Sequence, residues 1–191
     1  MIKKAIVIIL GLTMSFAISV TAFAIDFSEG LAAVMLNDYG NFGFIDKTGK
    51  VVIPIEYQRA YSFSEGLAVV VLNNKWGVID KAGIVVIPIK YLGLGSFSEG
   101  LAMVHRNIVN TSGSITKWGF IDKTGKVVVP LKYDSVTDFP DGIAVVFKED
   151  SFGEKQFDER KIQMGFIDKT GKIILPFKNK PFDVYNGIFS T

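Results

Sequence analysis

Short apolar runs rich in β-branched residues, separated by turn signals, recur along residues 27–190. The shortest copy shows the pattern most plainly. Positions 67–72 read Leu-Ala-Val-Val-Val-Leu, Asn73-Asn74 follows, and positions 75–80 read Lys-Trp-Gly-Val-Ile-Asp. After Asp80-Lys81-Ala82-Gly83 a third run, 84–87, meets Pro88. Asparagine tolerates positive φ, so Asn73-Asn74 predicts a two-residue hairpin turn. The Asp-x-x-Gly tetrapeptide predicts a type I turn whose glycine takes the left-handed region and forms a bulge, with the aspartate accepting the turn's N–H groups. Proline, lacking a donor, is expected to stop the third strand. Three antiparallel strands per unit follow. Val69, Val70 and Val71 do not alternate with polar residues, nor do Val127, Val128 and Val129. A sheet with one wet face alternates, so each small sheet is expected to be covered on both sides by its neighbours.

The unit repeats. Phe27-Ser28-Glu29-Gly30-Leu31-Ala32 recurs at 63–68 and 97–102, and more loosely at 139–144, with a last echo at 185–189. Gly43-Phe44-Ile45-Asp46-Lys47-Thr48-Gly49-Lys50 recurs at 77–84, 119–126 and 165–172. Each copy of this second block leads to a proline: Pro54, Pro88, Pro130 and Pro176. Tyr57, Tyr91 and Tyr133 lie three residues beyond the first three, and Asn179 replaces tyrosine in the fourth. The residue before the block's first glycine is Phe42, Trp76, Trp118 and Met164.

With Trp76-Gly77 and Trp118-Gly119 set in the repeated Gly-φ-Ile-Asp-Lys-x-Gly frame, residues 27–190 resemble the WG-repeat family. Two of the four copies depart from tryptophan, so any large apolar group serves at that position. The resemblance implies a β-rich repeat protein, often secreted or surface-linked, with no shared enzymatic activity and no catalytic residues to carry over. One unit cannot bury both of its faces and a stack can. The expected architecture is therefore all-β, with tandem three-stranded antiparallel units stacked as a propeller-like or curved solenoid array. The units run at about 27–62, 63–96, 97–138 and 139–181, with a partial one at 182–191.

The chain opens differently. Lys3 and Lys4 precede an apolar stretch that ends Ala22-Phe23-Ala24. This is the pattern of a signal peptide, predicted as a helix over 1–24, with cleavage between Ala24 and Ile25 and export to the extracellular space or cell envelope. Retained, the same stretch is apolar enough to anchor in a membrane. The two leader lysines supply the whole net charge of +2, leaving 19 basic and 19 acidic side chains beyond them. That balance offers neither nucleic acid nor an anionic membrane a basic patch. With no cysteine, disulfide, thiolate-metal and cysteine-nucleophile chemistry are excluded.

Length variation is confined to one place. From the second-block glycine to the next opening-turn glycine the spacing is 23, 23, 23 and 22, whereas the complementary spacing is 13, 11, 19 and 23. The connection between the first and second strands absorbs the change: a loop at about 105–117 in the third unit and a mixed-charge loop at about 148–163 in the fourth. Equivalent loops of a repeat array project from one side. They make His105, Arg106, Lys148, Glu154 and Arg160 a candidate binding edge, or else a site that merely tolerates insertion.

His105 is the only histidine, so a catalytic triad or histidine metal site lacks partners. The acids Glu29, Glu65, Glu99 and Asp141, and Asp46, Asp80, Asp122 and Asp168, recur with the unit. A catalytic pair should appear once, whereas a turn residue appears in every copy. No phosphate loop or calcium loop occurs, and no cofactor is expected. Trp76, Trp118, Tyr57, Tyr91 and Tyr133 offer a candidate sugar-stacking platform, or fill the space between sheets with rings lying over Gly77 and Gly119. The functional expectation is a non-catalytic binding or scaffold module for a protein partner. The alternatives are a carbohydrate or cell-wall-binding module and, more remotely, a glycoside-acting enzyme.

Overall fold

The computed structural model describes residues 22–24, 26–36, 40–110, 113–149 and 162–179. The expected leader lies outside the described residues over 1–21, as does the partial unit at 182–191. Apart from one 3-10 turn at Pro140–Gly142, the regular structure of the described residues is all strand. The chain falls into two compact units, one running to Gly100 and including Lys123–Gly125, the other formed by Leu101–Asp122 and the chain from Lys126 on.

The first unit carries β1 (Ala22–Ala24), β2 (Leu31–Leu36), β3 (Phe42–Asp46) and β4 (Val51–Tyr57), paired in that order. A second sheet follows, of β5 (Arg59–Ala60), β6 (Leu67–Leu72), β7 (Lys75–Asp80) and β8 (Val85–Tyr91), and then the short β9 (Gly93–Leu94). In the second unit β10 (Leu101–Asn110), β11 (Gly113–Asp122) and β12 (Val127–Tyr133) are neighbours in that order. There, too, β13 (Ser135–Val136), β14 (Ile143–Glu149), β15 (Ile162–Asp168) and β16 (Ile173–Asn179) form a four-stranded sheet. The expectation of three strands is thus corrected by a short outer strand. As the chain leaves one sheet it runs along the free edge of the next. Arg59 and Ala60 pair with Val71 and Val70. Gln58 and Tyr61 extend the ladder by donating their N–H groups to the carbonyls of Val71 and Val69. Ala22–Ala24, expected in the leader, takes the equivalent place beside β2.

The turns follow from their residues. Asn73 and Asn74 both have positive φ, 51° and 57°, the geometry of a type I′ hairpin. Asp46 Oδ1 accepts the Thr48 and Lys50 N–H groups at 2.8 and 3.1 Å, and Gly49 sits at φ 86°. Asp80 and Asp168 repeat the arrangement. The opening turn, Ser28-Glu29-Gly30-Leu31, is also a two-residue hairpin, and Glu29 takes φ 52° within it.

Proline does not stop the third strand. β8 runs through Pro88, because an edge strand can leave that position unpaired on its open side. Between Val78↔Ile87 and Trp76↔Tyr91 the edge strand holds two more residues than its partner and arches. The arch passes over Gly77, where a Cβ would lie 2.6 Å from Ile89 Cγ1 and 2.9 Å from the Ile87 carbonyl oxygen. The nearest atoms to this glycine thus belong to the bulged neighbouring strand, which corrects the expectation that a ring covers it.

The middle strands β6 and β7 are buried on both faces, whereas β14 buries Ala144 and Val146 on one face and leaves Val145 and Phe147 half-buried on the other; the edge strand is open, with Val51, Val52, Val85 and Val86 exposed and Ile84 just before β8 63% exposed. The expected cover on both sides holds for β6 and β7, is partial for β14 and β15, and fails for the edge. In the first unit the core joins two sheets through Ala33, Phe44, Ile53, Tyr57, Phe63, Val70 and Ile79. The Phe44 and Phe63 rings meet edge to face with centroids 4.9 Å apart. In the second unit Phe120 and Phe139 repeat that contact at 4.6 Å. Truncating such a ring to alanine costs about 3–5 kcal/mol. Phe27, at the equivalent position of the first copy, is 41% exposed.

Candidate functional site

The recurrent acids have structural work in the turns just described, and the opening-turn glutamates have more. Glu29 accepts the Gly66 N–H at 3.0 and 3.2 Å and pairs with Lys81 at 3.0 Å. Glu65 does the same with the Gly100 N–H and with Lys123 of the same unit at 2.9 Å. Beside them, Ser28 Oγ donates to the Phe63 carbonyl at 2.6 Å, and Ser64 Oγ to that of Phe97 at 2.8 Å. The Glu29 carboxyl is held below its ordinary range, first by Lys81 and then by the Gly66 N–H. Asp46 and Asp168 are lowered chiefly by the hydroxyls of Thr48 and Thr170.

The five aromatics of the expected platform are not one surface. Tyr57 and Tyr133 are buried core residues and cannot present a face to a ligand, which corrects that assignment. Tyr91 and Trp76 are half-buried and sit opposite each other across β7 and β8. Trp118 is half-buried and packs against His105, with ring centroids 4.4 Å apart.

The expected loop at 105–117 is corrected to a hairpin arm. β10 and β11 pair without interruption from Leu101↔Asp122 to Asn110↔Gly113. His105 faces Trp118 in this ladder, and burial pushes its imidazole below the ordinary range. Beyond it Ile108 faces Ile115, and the Thr116 hydroxyl reaches Asn107 Oδ1 at 3.0 Å. Arg106 and Asn107 are exposed, Ile115 is 42% exposed and Val109 80%. Lys117 pairs with Asp134, whose other oxygen accepts the Glu149 N–H at 3.0 Å. Of the remaining edge residues, Lys148 is half-buried with its Nζ 4.4 Å from the centre of the Phe177 ring. Glu154 and Arg160 lie outside the described residues. His105, Arg106 and Lys148 thus share the second unit, but only Arg106 is fully exposed.

One site escaped the motif reading. In the first unit a groove of about 460 Å³ is lined by Phe42, Gln58, Arg59, Ala60, Tyr61 and Ser62. The Tyr61 ring is stacked on Trp76, with centroids 5.5 Å apart. Gln58 Oε1 accepts the Asn74 N–H at 2.7 Å. Arg59 is exposed and has no ion-pair partner among the described residues. The available signal was the departure from the repeat: Arg59 stands where later copies have Gly93 and Ser135, and Tyr61 where they have Gly95 and Thr137.

Among the described residues no group of three or more acidic or histidine side chains is placed to hold a metal ion, and no helix is long and apolar enough to cross a membrane. Fold and site together define a tandem β-repeat protein whose repeated acids build turns. The model of the WG containing repeat matches residues 42–76, 76–107, 118–151 and 164–178, and the chain belongs to this family. No curated protein and no solved structure matches it.

Proposed function

We propose that the chain is an exported, non-catalytic binding and scaffold module that contacts a protein partner through the hairpin arm of β10 and β11. The observation that carries this reading is the arm itself, a paired ribbon that exposes an apolar side chain on each face, Val109 at 80% on one and Ile115 at 42% on the other. Val109 is the most exposed large apolar side chain among the described residues, and exposed apolar surface is a contact signal where it gathers into a patch. The non-catalytic part is supported by the repetition of the acids and by their engagement in turns and staples. Export is supported by the basic, apolar and Ala-Phe-Ala sequence of the leader.

A photo-crosslinking residue at Val109, in the producing cell, tests the contact. A discrete protein adduct is expected at Val109 and not at the exposed edge residue Val127. Its loss on Asn107→Lys, which lies on the same face of the ribbon as Val109, with secretion unchanged, assigns it to the arm. Adducts of equal yield at both positions would sink the reading.

A further inference from the structure

We propose that the groove beside Tyr61 binds a carboxylated sugar ring, with its carboxylate on Arg59 and the apolar face of the ring against Tyr61. This rests on the groove alone and is independent of the hairpin arm.

The argument begins with what repeats and what does not. Positions shared by all copies hold the fold, and most of the groove's polar lining is not shared. Gln58, Arg59 and Tyr61 are replaced by Leu92, Gly93 and Gly95 in the next copy, and by Asp134, Ser135 and Thr137 in the one after. The backbone is nevertheless the same: the N–H groups of Tyr61 and Thr137 both donate at 3.0 Å to the adjacent strand, at Val69 and Val145. These side chains are therefore additions to a frame that does not need them.

Their chemistry converges on one kind of ligand. None of the six lining residues is acidic, and Arg59 is a cation without an ion-pair partner among the described residues. A guanidinium presents a planar fork of donors that matches a carboxylate in a bidentate way. Because the Gln58 oxygen is occupied by the Asn74 N–H, its NH₂ is left as a donor at the groove. The Ser62 hydroxyl adds a group that both donates and accepts. Phe42 and Tyr61 supply an apolar wall, and the stack on Trp76 fixes the Tyr61 ring before any ligand arrives. A pyranose acid has the complementary parts: a C–H face for the wall, hydroxyls for the amide and hydroxyl, and a carboxylate for the arginine. The groove's volume of about 460 Å³ is in the range of small-ligand sites. An acidic peptide fits less well. Acidic motifs are recognised by clustered arginines, and Arg59 is the one basic residue among the six that line the groove.

The test uses the full chain with Trp118→Phe, which leaves Trp76 as the reporter beside Tyr61; phenylalanine already occupies the matching position 42. Trigalacturonate is titrated by Trp76 emission and by heat, with maltotriose as the uncharged control and tetraglutamate as the charged peptide control. Saturable binding of trigalacturonate at a Kd of about 1 mM or tighter is expected, with both controls at least about tenfold weaker. Arg59→Ser and Tyr61→Thr install residues the chain itself uses at these positions, so the fold is retained, as circular dichroism will show. Arg59→Ser should weaken trigalacturonate by about tenfold or more and erase the preference over maltotriose. Tyr61→Thr should weaken both sugars. Neither signal with trigalacturonate, equal affinity for Arg59→Ser, or tetraglutamate binding as tightly as the sugar acid would each overturn the assignment.

Discussion

The carboxylate of Glu29 accepts the backbone N–H of Gly66, 37 residues further along the chain, at 3.0 Å, and the same oxygen lies 3.0 Å from Lys81 Nζ. Glu29 makes this contact from φ 52° in the opening turn, a backbone region that asparagine and glycine occupy at less cost. A local preference is set aside for a bond between successive sheets.

Glu29→Gln should therefore destabilise the first unit by roughly 1 kcal/mol near neutral pH, once solvent screening of this half-exposed pair is allowed for. The folded carboxyl titrates below its ordinary 4.5. Its contribution is present above that value and is lost as pH falls through the lower folded value. Urea midpoints of the two proteins should differ at about pH 7 and draw together as the pH falls below the ordinary carboxylate range. Equal midpoints at neutral pH would remove the staple from the account.

The second-block glycine gives a sharper test of the repeat's geometry. A Cβ on Gly77 would meet Ile89 Cα at 2.7 Å and the Ile87 carbonyl oxygen at 2.9 Å, both backbone atoms. For a Cβ on Gly165 the nearest atoms are those of the Phe177 ring, no closer than 3.2 Å, and that ring can turn aside. Gly77→Ala should cost about 2–3 kcal/mol and Gly165→Ala under about 1. Thermal melts of the two variants check the order, and equal losses would show that the bulge does not select glycine.

These contacts also mark what the sequence makes legible. Asn73-Asn74 and the Asp46 turn are local, and both take the conformations their residues dictate. The middle strands follow from unbroken valine runs. The Glu29–Gly66 bond spans two units, and a turn motif says nothing of where its side chain ends. The short strand Arg59–Ala60 is fixed by a free edge rather than by propensity. The arm at 105–117 reads as a loop because of Asn107, Asn110 and Thr111, yet pairing inherited from Leu101–Val104 carries the ladder outward. The aromatic platform failed on burial. Tyr57 and Tyr133 look like Tyr91 in sequence, but only packing of a neighbouring sheet decides which of them is covered.

Tyr133 separates core from platform directly. Its ring is fully buried, and its hydroxyl has no hydrogen-bond partner among the described residues. An unpaired buried hydroxyl is a cost, so Tyr133→Phe should be neutral or stabilise by up to about 1 kcal/mol, while Tyr133→Ala should lose about 3–5. Chemical denaturation measures both. A large loss in Tyr133→Phe would mean that the hydroxyl is bonded and the ring is not simply core.

His105 contributes a pH dependence to the second unit in the histidine range. Its ring packs on Trp118, its Nδ1 is buried without a partner among the described residues, and burial pushes its protonation below the ordinary 6.5. The unfolded chain takes up a proton in a range where the folded chain does not. The fold is therefore favoured above about pH 6.5 and loses stability as the pH falls below it, until the lower folded value is passed. The same strand position holds Met35 in the first copy and Val71 in the second, both apolar, so His105→Leu keeps an apolar residue there and removes the titration. Between about pH 7 and pH 5 the melting temperature of the wild type should fall more steeply than that of His105→Leu, and the variant should be at least as stable at the lower end. Melting curves at three pH values in this range decide it, before most carboxylates begin to titrate. Parallel profiles would show that His105 remains solvated, and its contact with Trp118 would then carry no pH dependence.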